Sequence, residues 1–406
     1  MENLVAGLAF AATAAFLFWP KVRNNTAWQA TVTPLASIIG SGFLISLPLL
    51  ADTVGGYATL AMMVLVAIGY AIGGAIRFNI LNGEKLFDAK EPKYLFGIER
   101  LSHAALIFAY VISVTYYLSL LAAFLMKGIG VQSDFDEKFV TTAALAFIGI
   151  YGNLRGLHAL EALEEYAVSL KLAVIAAVLA ALVWLNGVEL LGGTWKIAAP
   201  FDMPGWHDLR VVFGLLIVVQ GFETSRFLKG VYEPKERVRT MRYAQWLSAA
   251  IYLAFFVLAM TVAHEHSGKP DIAGVVGMMS KVASILAVLL VGGAIFAQAS
   301  AAIADTIGGA GLSEEASEGT IKRKYAYPLI GAFGIVLVWS ANILDIVALA
   351  SRAFAGFYAL QCLVAAFTAQ AAPNVKHRWP HTIWFAALGL LALGITILGI
   401  PAEGGG

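Results

Sequence analysis

The sequence predicts an all-α polytopic membrane protein of about twelve transmembrane helices. Three observations carry that expectation. Hydrophobic residues fill 60% of the 406 positions and charged residues only 13%, more apolar surface than a soluble domain can bury. Apolar stretches long enough to cross a bilayer recur from one end of the chain to the other. Lysine and arginine alternate between successive loops, eighteen on one side against five on the other, which is the asymmetry that sets membrane orientation.

The first apolar segment, 3–19, precedes Pro20 and lacks a basic leader, so it reads as a retained helix rather than a signal peptide. The second, 28–52, carries Gly40-Ser41-Gly42 at its middle and Pro48 beyond. A third spans 57–80, and a polar loop from Gly83 to Arg100 leads to a fourth at 101–126. Two close segments, 139–153 and 158–186, flank Asn153-Leu154-Arg155-Gly156. After a loop at 187–209, further segments lie near 210–228, 243–264, 277–308, 326–341, 343–370 and 380–400. The charge pattern places Lys21, Arg23, Lys85, Lys235 and Lys322 on the cytoplasmic side, hence both termini outside.

Glycines around Ser41 cost helix stability and release backbone groups from the i to i−4 pattern. Irregular backbone survives at membrane depth only where protein or a water-filled cavity covers it. The stretch at Ile39, Gly40, Ser41 and Gly42 is therefore either an unwound helix lining a midplane site or a small-residue packing face. With the first helix set aside, a second interrupted segment falls five helices later, where Gln220-Gly221-Phe222-Glu223 splits 211–230. Paired interruptions in two halves favour the transporter reading. No GxxxxGK[ST] P-loop is present, so the energy for transport comes from a gradient. The lone cysteine, Cys362, excludes an intrachain disulfide. His264-Glu265-His266 is too short for helical zinc geometry.

The run from Gly40 to Phe43, Asn153 to Gly156, Gly221-Phe222-Glu223 and Glu233-Pro234-Lys235 together resemble amino acid–polyamine–organocation (APC) permeases. The resemblance implies a LeuT-type 5+5 inverted repeat, with one extra helix at each end. The parts would be an added helix at 1–20, repeats at 28–186 and 210–370, and a last helix at 380–400. Phe43-Leu44 in place of Ile-Phe, and the absence of an acidic motif in GYAIGGAIR, depart from that pattern.

Lys171 stands mid-helix, where a charge is a functional candidate by default. The resemblance implies that it faces the second sodium site, where proton-coupled members carry a lysine; the plainer reading is a snorkelling side chain. Ala302-x-x-Asp305-Thr306 is similar to the sodium-ligand set of the eighth core helix. Asp305 and Thr306 would hold sodium, or Asp305 would pair with Lys171; alternatively Asp305 is a solvated residue at a helix end. Glu223 is placed to receive a substrate ammonium, and the freed N–H groups of Gly40 to Gly42 a carboxylate. Phe222 is a lid or ordinary packing, and Arg226 pairs with Glu223 along the helix. Glu161, Glu164 and Glu165 suit a helix start.

The expected function is secondary transport of a small zwitterion, an amino acid first, coupled to protons through Lys171. Sodium symport and a non-transporting solute sensor are the alternatives. No paired ligand or catalytic constellation points to an enzyme. The expected partners are the solute, the bilayer and a coupling proton or sodium ion, with no nucleic acid and no cofactor beyond that sodium. The expected location is a bacterial inner membrane.

Overall fold

The computed structural model describes residues 1–40, 42–131, 133–197, 201–263 and 274–402, with side chains at 158–165 also outside the description. Ser41, His264-Glu265-His266 and the side chains of Glu161, Glu164 and Glu165 thus lie outside the described residues.

The chain begins with α1 (Glu2–Leu17) and the short α2 (Pro20–Arg23), followed by α3 (Thr26–Ile38), α4 (Gly42–Val54) and α5 (Ala58–Asn82). A single turn, α6 (Glu84–Asp88), precedes α7 (Lys93–Gly128), α8 (Asp134–Arg155) and α9 (His158–Leu191). Then come α10 (Trp206–Phe213), two 3-10 turns at Leu216–Val219 and Phe222–Arg226, and α11 (Pro234–Ala263). The rest is α12 (Gly274–Val282), α13 (Ser284–Ala316), α14 (Arg323–Ser340), α15 (Ile343–Ala371) and α16 (Arg378–Leu398). Among the described residues seven stretches are long and apolar enough to cross a membrane, the first of them 26–82. That first stretch turns back on itself at Gly55 (φ +53°), so α4 and α5 lie side by side with Gly42 and Gly69 both against the 218–219 segment.

Two sequence-based boundaries move. The expected loop at 83–100 is helical over Glu84–Asp88 and again from Lys93. Arg100 is therefore a helix residue, and Glu99 beside it is buried at 3% exposure. The expected segment 277–308 divides at Ala283, and its second part, α13, continues to Ala316. Asp305 lies eleven residues inside that end and is buried, so it is not a solvated terminus.

The 36-residue α7 is the central post. It runs antiparallel to α13: Tyr110 meets Gly308, Ser113 meets Asp305, and a Cβ on Gly128 would lie 2.7 Å from Val291. Missing side chains make this approach close, which is how apolar helices pack without a hydrophobic drive in lipid. The same device joins α8 to α14, where Gly331 would put a Cβ 3.0 Å from the Leu145 carbonyl. The first helix, α1, packs along α9, Phe18 stacking on Tyr166, while Asn3 bonds Ser284 at the start of α13. We call the end carrying Lys21, Arg100, Lys229 and Arg323 the basic end.

Candidate functional site

Both interrupted segments are broken, and the breaks face each other. In the first, the Ile39 N–H donates to Leu35 and the Gly40 N–H to the Ser37 carbonyl at 3.1 Å. Gly40 thereby drops the i−4 bond it would otherwise make to Ala36, and α4 starts afresh at Gly42. Of the glycine N–H groups expected to be free, that of Gly40 is engaged. In the second break, Gln220 is extended and Gly221 adopts φ +111°, a conformation open to glycine at little cost. A Cβ on Gly42 would lie 2.4 Å from Val218 Cα, and one on Gly221 2.4 Å from Ser37 Cβ. Each glycine admits the other segment's chain.

The carbonyls released by unwinding are collected by two side chains. Lys171, buried on α9, donates its Nζ to the Ala36 carbonyl at 2.8 Å. The Tyr252 hydroxyl on α11 lies between the carbonyls of Ile38, at 3.1 Å, and Val218. Backbone acceptors inside a membrane protein need such partners. The lysine is thus tied to the first break rather than directed toward solvent.

Glu223 lies at 1% exposure beyond the second break. Its Oε2 accepts from the Gly221 N–H at 3.0 Å and the Tyr358 hydroxyl at 2.7 Å, while Oε1 has no hydrogen-bond partner among the described residues. Gln220 donates through Nε2 to the Tyr117 hydroxyl at 3.0 Å, and its Oε1 is likewise unpartnered. Two unanswered buried acceptors beside one break favour a ligand rich in donors, since such groups are costly to leave alone. Phe222 is buried and stacks on Tyr358 at 5.0 Å. Ile39 is fully buried beside Gly40.

Asp305 accepts from the Ser113 hydroxyl, and the Thr306 hydroxyl returns to the Ala302 carbonyl at 2.6 Å. Lys171 and Asp305 lie on α9 and α13, which approach each other where a Cβ on Gly293 would stand 3.0 Å from Val174.

Arg226 does not pair with Glu223. Its guanidinium meets Glu99 of α7 and also donates to Gln361 at 2.7 Å. Gln361 in turn donates to Glu99 at 3.0 Å and to Ser102 at 2.7 Å, with His103 3.2 Å from Glu99. This network borders a cavity of about 500 Å³ open toward the basic end, lined by Glu84, His103, Arg226, Phe227 and Glu315 among others. Arg237, at 1% exposure, closes on Glu84 with two 2.7 Å bonds. Among the described residues no three His, Cys, Asp or Glu side chains gather as a metal site.

Glu99, Ser113, Tyr117 and Tyr358 were not singled out by sequence reasoning. The signal existed for the first three: Glu99, His103, Tyr110, Ser113 and Tyr117 recur at steps of four, seven, three and four, one face of a helix.

A family model described as APC superfamily transporter matches residues 20–399. An uncharacterized protein of Aquifex aeolicus (strain VF5) is 42% identical over 356 residues, 86% of each chain. Among solved structures, a mutant of the Eremococcus coleocola manganese transporter superposes with TM-score 0.58 at 12% identity, covering 92% of this chain and 88% of that one. A Na⁺-coupled sialic acid symporter in a substrate-bound outward-open state aligns with TM-score 0.52 at 13% identity over 99% of both chains.

Proposed function

Because the chain belongs to the APC superfamily of transporters, we propose that it carries a small zwitterion, an amino acid first, by ion-coupled alternating access. It is an integral membrane transporter and not an enzyme. The observation that carries the finer reading is a pair of acceptors, Glu223 Oε1 and Gln220 Oε1, buried beside the second break with no partner among the described residues. They suit an ammonium, while the N-terminus of α4 suits a carboxylate. We take 28–186 and 210–370 as inverted repeats, α1 and α16 as the added helices, and twelve passes in all. The membrane is a bacterial inner membrane and the basic end cytoplasmic, in keeping with the loop charges.

Manganese is named for a structural relative only 12% identical, a likeness that concerns the fold alone. Protons are the coupling ion of this reading because the Lys171 ammonium already places a single positive charge against the first break. Lys171 then acts as the built-in cation, its bond to Ala36 answering to the state of the first break. Lys171→Ala is expected to remove the response of uptake to an imposed pH gradient. Undiminished proton-driven uptake into liposomes by that variant would rule out the role.

The direct test is thermal stability of the purified protein against amino acids, amines and small osmolytes, with and without sodium. A solute that binds the folded state raises the midpoint by mass action, by about 2.7 kcal/mol of stability at a hundred times Kd. One amino acid is expected to stabilise the protein without sodium, and Glu223→Gln to reduce its affinity at least tenfold. Stabilisation by sodium alone would instead assign Asp305 and Thr306 as its ligands. No response to any zwitterion would sink the substrate reading and favour a sensor of another solute.

A further inference from the structure

The outer face of α11 carries a feature that solute transport does not use. Arg239, Arg242, Tyr243 and Trp246 recur at steps of three, one and three, and all four are exposed. Trp246 is a ridge between two depressions. On one side it meets a shallow groove lined by Asn25, Ala27, Trp28, Thr31, Tyr243 and Leu247. On the other it borders a cleft of about 280 Å³ between α5 and α11, entered past Met63 and Leu253 and floored by Ile38, Val219 and Tyr252. Tyr70 and Gln245 line the cleft as well. There Arg77 lies against Gln245 and over the Tyr70 ring at 4.6 Å.

We propose that this face is a binding site for one anionic diacyl phospholipid of the surrounding bilayer, its phosphate at Arg239 and Arg242 and its acyl chains straddling Trp246. The charge is complementary. Two exposed arginines lie one to two turns toward the basic end from Trp246, with the Arg77 guanidinium behind them, and the sole acid of α11 is Glu236. Basic residues at the edge of a span attract anionic headgroups, and an indole suits the same level. An ordinary interfacial belt would carry the same cations and rings. It would not supply two apolar grooves on either side of one ring, which match two chains leaving one headgroup. The cleft chain would end against Val219 and Tyr252, in contact with both helix breaks.

The test uses delipidated, purified protein and two lipids of identical chains, phosphatidylglycerol and phosphatidylcholine. Wild type is expected to retain one phosphatidylglycerol per chain in native mass spectrometry and to gain several degrees in midpoint, with phosphatidylcholine giving neither. The pair Arg239→Gln and Arg242→Gln is expected to lower retention at least tenfold. Ala249→Phe, which fills the cleft from α11, is expected to do the same with both arginines intact. Should that variant fold poorly, Met63→Trp narrows the same cleft from α5. Equal shifts with phosphatidylcholine, or retention unchanged in either set of variants, would overturn the site.

Discussion

Gly42→Ala is expected to abolish solute uptake and to lower stability. The new Cβ would stand 2.4 Å from Val218 Cα and 2.6 Å from its carbonyl oxygen. A flexible side chain could turn aside; backbone at the second break is fixed by Tyr252 and by its own turn. Overpacking costs about 1–3 kcal/mol where side chains can shift, and here the cost should reach or exceed the upper figure. The two breaks would be forced apart, so uptake should fail even in protein that folds. Gly389→Ala is the control, since its Cβ would rest 3.4 Å from Cys362 in ordinary contact. Thermal midpoints of the two variants and uptake into liposomes decide the matter. Equal behaviour would show that the breaks do not touch as described.

Glu99→Gln should produce the second large effect. It leaves the Arg226 guanidinium, 11% exposed, without its carboxylate. Removing one member of a buried pair costs about 3–5 kcal/mol, because the remaining charge is uncompensated. Glu99→Gln together with Arg226→Gln should recover a good part of that loss, and the double-mutant cycle should report coupling above ~1 kcal/mol. The pair joins α7 to the second broken segment at the wall of the cavity. A single variant within ~0.5 kcal/mol of wild type would show that water already reaches these groups.

The helical architecture was legible because apolar runs and loop charges survive any detail of packing, and the two breaks because glycine at φ +111° leaves a mark in composition. The surroundings of the breaks were not. Tyr358, 135 positions from Glu223, reaches it only through the folding of α15 over the second break. Arg226 was assigned the wrong acid because sequence spacing offered Glu223, whereas the short 3-10 turns swing its side chain toward α7. Glu99 was hidden by a misplaced boundary: a helix read as beginning at 101 leaves 99 in a loop, and the loop reading concealed a polar stripe.

The hydroxyl of Tyr252 has one proton and two carbonyls to serve, Ile38 on the first break and Val218 on the second. While the segments stay together, sharing suffices. Once they separate, the hydroxyl follows one and deserts the other, and a bare carbonyl in a dry interior costs about 1–3 kcal/mol until water arrives. Each ~1.4 kcal/mol of such a barrier slows a step tenfold. One phenol therefore adds a small barrier to parting the two segments, and that barrier falls once water can take its place at the bare carbonyl.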